Sequence, residues 1–218
     1  MIRLFWRLIS AMIFATGIMA IVGIGLISHS QDNYRLFNTI LSQLHPIDPP
    51  SQSIEGYQYL DSQVVDTVND LGIDKSSLPD ILINPDLCLN QASHPDGKVL
   101  GCYIEPPSNI YIRPEAFELG ATGLATTIAH EYLHYVYSQL LDDRAREQLA
   151  LGLREYYQFY NTNVYPDRFD AYRDQTGQDF DTELYAIFGS EVADSNLPAG
   201  LLEHYKQFIP NRQFLAVY

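Results

Sequence analysis

The sequence predicts an α+β fold, in which a small sheet is followed by a helical half. Residues 57–71 place apolar side chains at helical spacing, and Gly72 stands where that helix should end. Three short stretches suited to extended backbone follow, at 81–84, 99–105 and 109–113. The last of them, NIYIR, alternates in polarity and follows a Pro-Pro turn. These three observations indicate a helix, a small sheet and then helices.

The rest of the chain predicts helices only. A helical pattern runs from 122 to about 141, and a second from 142 to about 160. Residues 161–178 are rich in Tyr and Asp and predict irregular chain. Two further helices are expected at 180–193 and 198–208.

The N-terminus carries a long uncharged segment. Residues 8–28 are 21 residues without a charge, and as a helix they would span roughly 30 Å, the thickness of a bilayer core. Arg3 and Arg7 precede the segment, and Asp32 is the first charge after it. The excess of positive charge before the segment predicts a transmembrane helix with its N-terminus in the cytoplasm.

A cleaved signal peptide is the alternative reading of this segment. Its apolar region would be about 7–15 residues long, and the small-x-small site here, Gly23-Ile24-Gly25, lies inside the apolar run. Either reading places the following domain outside the cytoplasm. We therefore expect an anchor at 1–30, a stalk at 31–54 that includes the proline-rich PIDPPSQS, and a globular domain at 55–218.

Composition excludes one class of partner. The 218 residues contain 27 acidic and 13 basic side chains, a formal charge of −14, and 46% hydrophobic residues. The hydrophobic share suffices for a packed core. A surface this acidic repels nucleic acid, and the sequence has no basic stripe that would offset it. We expect no nucleic-acid partner.

The two cysteines, Cys88 and Cys102, enclose the turn-rich stretch NQASHPDG. Outside the cytoplasm they should form a disulfide, which would contribute about 3 kcal/mol by restricting the unfolded chain. Metal binding is the weaker alternative, because neither cysteine belongs to a CxxC pair.

The segment HEYLH contains the residues that could bind a metal ion. His130 and His134 are four residues apart, so a helix places them on one face, where two imidazoles can bind one zinc ion. Glu131 is placed to hold a water beside the metal. A pair of surface histidines is the alternative, but the small and apolar residues Ala129 and Leu133 indicate a tightly packed helix. The pattern predicts a metal site.

Two HExxH families do not fit. The metzincin motif continues to a third histidine, but Tyr137 and Leu140 occupy its glycine and histidine positions. Peptide deformylases take a cysteine ligand from a Gly-Cys turn, and Gly101-Cys102 offers that pair. However, the glutamine-bearing glycine-rich segment of that family is missing, and Cys102 has a partner in Cys88.

The chain resembles the gluzincin metallopeptidases, which have a zincin fold. Residues 183–186, ELYA, are similar to the helix that supplies the third ligand in some gluzincins, including lethal-factor-like metallopeptidases. The resemblance spans residues 99–192 and implies Glu183 as the third zinc ligand, with Glu191 and Asp181 as rivals. The chain departs from the thermolysin pattern at Ile187, where an acidic residue would stand. The partner of the histidine ligands must therefore come from elsewhere.

The resemblance implies peptide-bond hydrolysis with one zinc ion per chain and Glu131 as the general base. A peptide or protein substrate would lie along an edge strand, for which residues 99–105 are the candidate. Tyr172, Tyr185 and His204 are candidate donors to the oxyanion. Two alternatives stay open: a non-catalytic zincin-like binding domain at the cell surface, and a cell-wall amide hydrolase.

Overall fold

A computed structural model describes residues 61–84, 88, 99–163 and 177–215, and it shows an α+β arrangement. The predicted anchor, the stalk and most of the irregular stretch 161–178 lie outside these residues. Within the described ranges, no helix has both the length and the apolar character that crossing a membrane requires. The principal elements, in chain order, are α1 (Ser62–Leu71), β1 (Ile81–Ile83), β2 (Gly101–Ile104), β3 (Asn109–Ile112), α2 (Glu115–Glu118), α3 (Gly120–Tyr135), a π-helical segment (Val136–Leu140), α4 (Asp143–Asn163), α5 (Gln178–Ser190) and α6 (Ala199–Lys206).

The first helix begins and ends on residues suited to those positions. The Asp61 carboxylate accepts a hydrogen bond from the Gln63 amide at 2.8 Å, which satisfies one of the unpaired amides of the first turn. Gly72 closes the helix in the left-handed conformation, at φ 71°, where other residues are strained. Between these caps Val64 and Val68 are buried in the core.

The three strands form one mixed sheet in the order β1-β3-β2. Strand β1 pairs in parallel with β3, so that Ile81 lies opposite Ile110. Strand β2 pairs with β3 in antiparallel fashion, with Cys102 opposite Tyr111. This order leaves β2 at one edge of the described sheet.

Helix α3 is the central element, and it packs against α1, α5, β2 and β3. Its crossing with α5 is close at Gly189, where a Cβ atom would lie 2.3 Å from Cδ1 of Leu133 and 2.6 Å from Cε1 of Tyr205. Only glycine fits at that crossing. The absence of a side chain there allows α5 to approach the helix that carries HEYLH.

The helix that begins at Gly120 continues from α3 into the π-helical segment and ends at Leu141, whose amide donates to the Val136 carbonyl at 3.1 Å. Arg146 then satisfies a carbonyl near this end, because its guanidinium donates to the Ser138 oxygen at 2.6 Å. The Asp142 carboxylate accepts from the Ala145 amide at 2.7 Å and begins α4.

The predicted elements agree with this fold. Each of the three extended stretches contains a strand, and Gly72 ends the first helix. The boundaries differ by a few residues: the HEYLH helix begins at Gly120 after a separate turn of helix, and α4 reaches Asn163. The described residues therefore confirm the α+β class, while the zincin family remains a prediction.

The predicted cysteine pair is also brought together. The sulfur atoms of Cys88 and Cys102 lie 2.18 Å apart, at disulfide distance. Cys102 lies in β2, so the bridge ties the edge strand to residue 88. Both cysteines are buried with Tyr111 in a small cluster of their own.

Candidate metal centre

Helix α3 presents two imidazoles to one point. His130 and His134 are one turn apart, their ring centroids are 4.9 Å apart, and their Nε2 atoms are separated by 3.1 Å. Both side chains are largely buried, with 17% and 13% of their surface exposed. The predicted spacing therefore brings the Nε2 atoms of the two rings close together.

Helix α5 adds a carboxylate to this pair. Glu183 Oε2 lies 3.7 Å from Nε2 of His130, and Oε1 lies 3.6 Å from Nε2 of His134. One ligand atom from each of the three residues falls within 4.8 Å of the others. This group could bind a metal ion, and it contains the three predicted ligands.

The donor set fits zinc. A tetrahedral zinc ion with ligands at about 2.0–2.2 Å keeps neighbouring ligand atoms about 3.3–3.6 Å apart. The two Nε2 atoms lie 3.1 Å apart. Each of them lies 3.6–3.7 Å from a different oxygen of Glu183, and one ligand atom from each residue falls within 4.8 Å of the others. Two imidazole nitrogens and one carboxylate oxygen are also a ligand combination that zinc prefers.

The electrostatics favour uncharged histidine at this point. Burial lowers the pKa of His134 to about 4; the Glu183 carboxylate acts in the opposite direction, and His130 acts in the same direction as burial. A neutral imidazole retains a lone pair, and a protonated one cannot bind a metal.

Glu131 lies beside the group without belonging to it. Its side chain is buried, with 7% of the residue exposed. Burial raises the pKa of Glu131 to about 7; the charge of His130 and a hydrogen bond from the Tyr103 backbone lower it, and the Glu183 carboxylate raises it. A carboxyl group with a pKa near 7 can both accept and release a proton at neutral pH.

Strand β2 reaches this carboxylate through a glycine. A Cβ atom at Gly101 would lie 2.9 Å from Cγ2 of Thr127 and 3.0 Å from Cγ of Glu131. The edge strand can therefore lie directly against the helix at Glu131 only because residue 101 has no side chain.

The two rival ligands occupy other positions. Oε1 of Glu191 lies 3.5 Å from Nδ1 of His130, the ring nitrogen that faces away from the cluster. The Asp181 carboxylate accepts hydrogen bonds from Arg154. Among the described residues, Glu183 is the carboxylate that meets both histidine Nε2 atoms.

The three candidate oxyanion donors are placed as follows. Tyr185 and His204 are buried, and the Tyr185 hydroxyl lies 2.9 Å from Nε2 of His204, so the two polar groups satisfy each other inside the core. Tyr172 lies outside the described residues.

One residue near the centre is not among the site residues that the sequence predicts. Ser190 Oγ lies 3.4 Å from Nδ1 of His130. Ser190 follows Glu183 by seven residues, close to two helical turns, so it shares a face of α5 with the third ligand. That spacing could have identified it.

Comparison with known proteins identifies no relative of this chain. The chain matches no family model, and no curated protein or solved structure is significantly similar to it.

Proposed function

We propose that the chain is a zinc-dependent metallopeptidase that hydrolyses peptide bonds outside the cytoplasm and is anchored to the membrane by residues 8–28. The observation that carries the proposal is the convergence of His130, His134 and Glu183, with the buried carboxyl group of Glu131 beside them. The anchor and its orientation rest on the uncharged segment and the arginines before it.

The composition of the group supports a catalytic rather than a structural site. Structural zinc sites almost always have four protein ligands, whereas catalytic sites have three and keep one position open. Within the described residues this group has three donors. A purely structural site would also have no use for a buried carboxyl group such as Glu131, whose burial is costly.

Zinc bound by these three residues would supply Lewis acidity, which lowers the pKa of water to about 7 and polarises a carbonyl group. Glu131 would accept a proton at its carboxylate from the attacking water and donate it to the leaving amine. Its side chain lies directly against the edge strand, because a Cβ atom at Gly101 would be 3.0 Å from Cγ of Glu131.

An extended peptide is the substrate class that strand β2 suits. The Arg113 amide donates to the Leu100 carbonyl at 2.8 Å, so that pair is hydrogen bonded across the antiparallel ladder. Because antiparallel pairing alternates, the backbone N–H and C=O groups of Gly101 point away from β3. A substrate strand could pair with this edge close to Glu131.

The experiment compares the full chain with single variants. Wild type should bind about one zinc ion per chain and cleave members of a broad peptide library. Glu131→Gln should retain zinc and lose cleavage by about 10²–10⁴-fold, since glutamine cannot accept the proton. His130→Ala and His134→Ala should lose zinc, and Glu118→Gln, at an exposed position, is the matched control.

Three results would contradict the proposal. A folded wild-type chain that takes up no zinc removes the metal site, and full cleavage by Glu131→Gln removes the proton-transfer role. Bound zinc without cleavage of any peptide would favour the binding-domain alternative. Cleavage confined to cell-wall peptide cross-links would favour the amide hydrolase.

A further inference from the structure

The outer nitrogen of His130 faces two oxygen atoms at the C-terminal end of α5. Nδ1 lies 3.4 Å from Oγ of Ser190 and 3.5 Å from Oε1 of Glu191. The Glu191 side chain is 16% exposed, so this carboxylate is largely withdrawn from water. The two residues therefore form a polar cradle on the side of the ring that faces away from the metal group.

Both oxygens are placed to accept a hydrogen bond from the ring. The Ser190 hydroxyl donates its hydrogen to the Ala186 carbonyl at 2.7 Å, which leaves its lone pairs for Nδ1. The Oε1 atom of Glu191 likewise offers lone pairs to Nδ1. A neutral imidazole beside two acceptors is stabilised with its hydrogen on Nδ1.

We propose that Ser190 and Glu191 are positioning residues that keep the proton of His130 on Nδ1 and so direct the lone pair of Nε2 toward His134 and Glu183. As an account of metal binding, the inference rests on the proposed function. As an account of the histidine tautomer, it stands on the contacts of the ring alone. The thermolysin pattern has an acidic residue at the position of Ile187, which cannot hydrogen bond to a histidine. In this chain Ser190 and Glu191 would take that role.

The cradle is held in place by a buried arginine. Arg212 is 2% exposed, and its guanidinium donates to the carbonyl oxygens of Gly189 and Val192, the latter at 2.8 Å. Its Nε donates to Oδ1 of Asp194 at 2.8 Å, and this carboxylate balances the buried charge. Because Gly189 and Val192 flank Ser190 and Glu191, Arg212 fixes the backbone on both sides of the cradle.

A carboxylate on the outer nitrogen also makes the inner nitrogen a better ligand. Hydrogen bonding to the second ring nitrogen orients a metal-binding histidine and raises its basicity, and loss of such a partner typically lowers metal affinity 10–100-fold. The Glu191 carboxylate supplies negative charge for this effect. Ser190 supplies a neutral acceptor at nearly the same distance.

The test measures the tautomer directly, in the zinc-free full chain, by two-bond ¹H–¹⁵N correlation spectra of the histidine rings. Wild-type His130 should carry its hydrogen on Nδ1. The double variant Ser190→Ala/Glu191→Met removes both acceptors with little change in volume, and its His130 should shift toward the Nε2–H form. Glu191→Gln retains an acceptor oxygen and should retain the wild-type tautomer.

Zinc affinity, measured by competition with a chelator, is the second readout. The double variant should bind zinc 10–100-fold more weakly than wild type, and Glu191→Gln should fall between them. Asp179→Asn alters an exposed carboxylate in the first turn of the same helix and should leave both readouts unchanged.

Failure of the inference and failure of the proposed function are distinguishable. An Nε2–H tautomer in wild type, or the same tautomer in wild type and in the double variant, overturns the inference even when zinc binds. Absence of zinc binding in a wild type with the Nδ1–H tautomer overturns the proposed function and leaves the positioning role supported. Where the double variant does not fold, the wild-type spectrum alone decides.

Discussion

Arg154 and Asp181 form a two-point ion pair that joins α4 to α5. The guanidinium Nε donates to Oδ1 of the carboxylate, and Nη2 donates to Oδ2 at 2.7 Å. The Asp181 side chain is 7% exposed, whereas that of Arg154 is 45% exposed. Both oxygens of Asp181 are thus engaged on the α4 side of α5, and the carboxylate has a structural role.

This pair predicts opposite outcomes for two carboxylates on one helix. Asp181→Asn should lower the free energy of unfolding by about 1–3 kcal/mol, because a charged hydrogen-bonding partner of Arg154 is lost, and should leave zinc content unchanged. Glu183→Gln should weaken zinc binding and lose peptide cleavage that added zinc partly restores. Denaturant unfolding and metal analysis of both variants check this, and normal zinc binding by Glu183→Gln would contradict it.

The local parts of the site could be predicted from the sequence, because they depend on residues close together in the chain. The spacing of His130 and His134 determines their convergence on any helix. Glu183 is predicted as the third ligand only by resemblance to the third-ligand helix of gluzincins. Its approach to the histidines depends on how two helices cross, which no local pattern specifies.

The remainder depends on long-range packing. Gly101 has no sequence feature that distinguishes it from a glycine in a turn, yet its missing side chain allows β2 to lie against Glu131. Glu191 was expected as a rival metal ligand, because composition cannot say which nitrogen of His130 a carboxylate will meet. The anchor at 8–28 remains a prediction, since it lies outside the described residues.

Substitution at Gly189 should separate the two helices that build the site. A Cβ atom there would lie 2.3 Å from Cδ1 of Leu133, far inside normal contact. Gly189→Ala should therefore lower the free energy of unfolding by about 1–3 kcal/mol, as over-packing does, and should weaken zinc binding. In a Leu133→Ala background the same substitution should cost less, which a double-mutant cycle measures. Equal costs in both backgrounds would show that this contact is not the cause.

Substitution at Gly101 should displace Glu131 and lower peptide cleavage, and it should change zinc binding much less. The added methyl group of Gly101→Ala would press on Thr127 and on Glu131, and the strand must move away from the helix. We expect peptide cleavage to fall at least 10-fold while zinc content stays near that of wild type. Thr127→Ser removes the Cγ2 atom and keeps the hydroxyl, so it should partly restore cleavage in the Gly101→Ala chain. Unchanged cleavage by Gly101→Ala would contradict the role assigned to this approach.

The buried histidine outside the metal group predicts sensitivity to acid. Burial lowers the pKa of His204 from 6.5 to about 4. Between these pH values the unfolded chain binds a proton that the folded chain excludes, so stability is complete above pH 6.5 and falls as the pH drops toward 4. The loss should approach about 3 kcal/mol, at about 1.4 kcal/mol per pH unit.

His204→Gln isolates this effect, because glutamine can still hydrogen bond to Tyr185 and does not titrate in this range. Unfolding by denaturant at a series of pH values, with a chelator present for both proteins, gives the two stability curves. Their difference should be flat above pH 6.5 and should change steeply between pH 6.5 and 4. Parallel curves through that interval would show that His204 binds its proton equally well in the folded and the unfolded chain.

The contacts of Arg212 have a consequence for the order in which the candidate metal site can form during synthesis. The histidines and Glu183 leave the ribosome well before Arg212 does, and until then the carbonyl groups of Gly189 and Val192 lack the cation that binds them in the folded chain. A nascent chain that ends before this arginine contains every predicted ligand, but it lacks the hydrogen bonds that hold the backbone on both sides of Ser190 and Glu191. If the proposed site binds zinc, ribosome-bound chains that end before Arg212 should therefore bind it more weakly than chains in which this arginine has emerged.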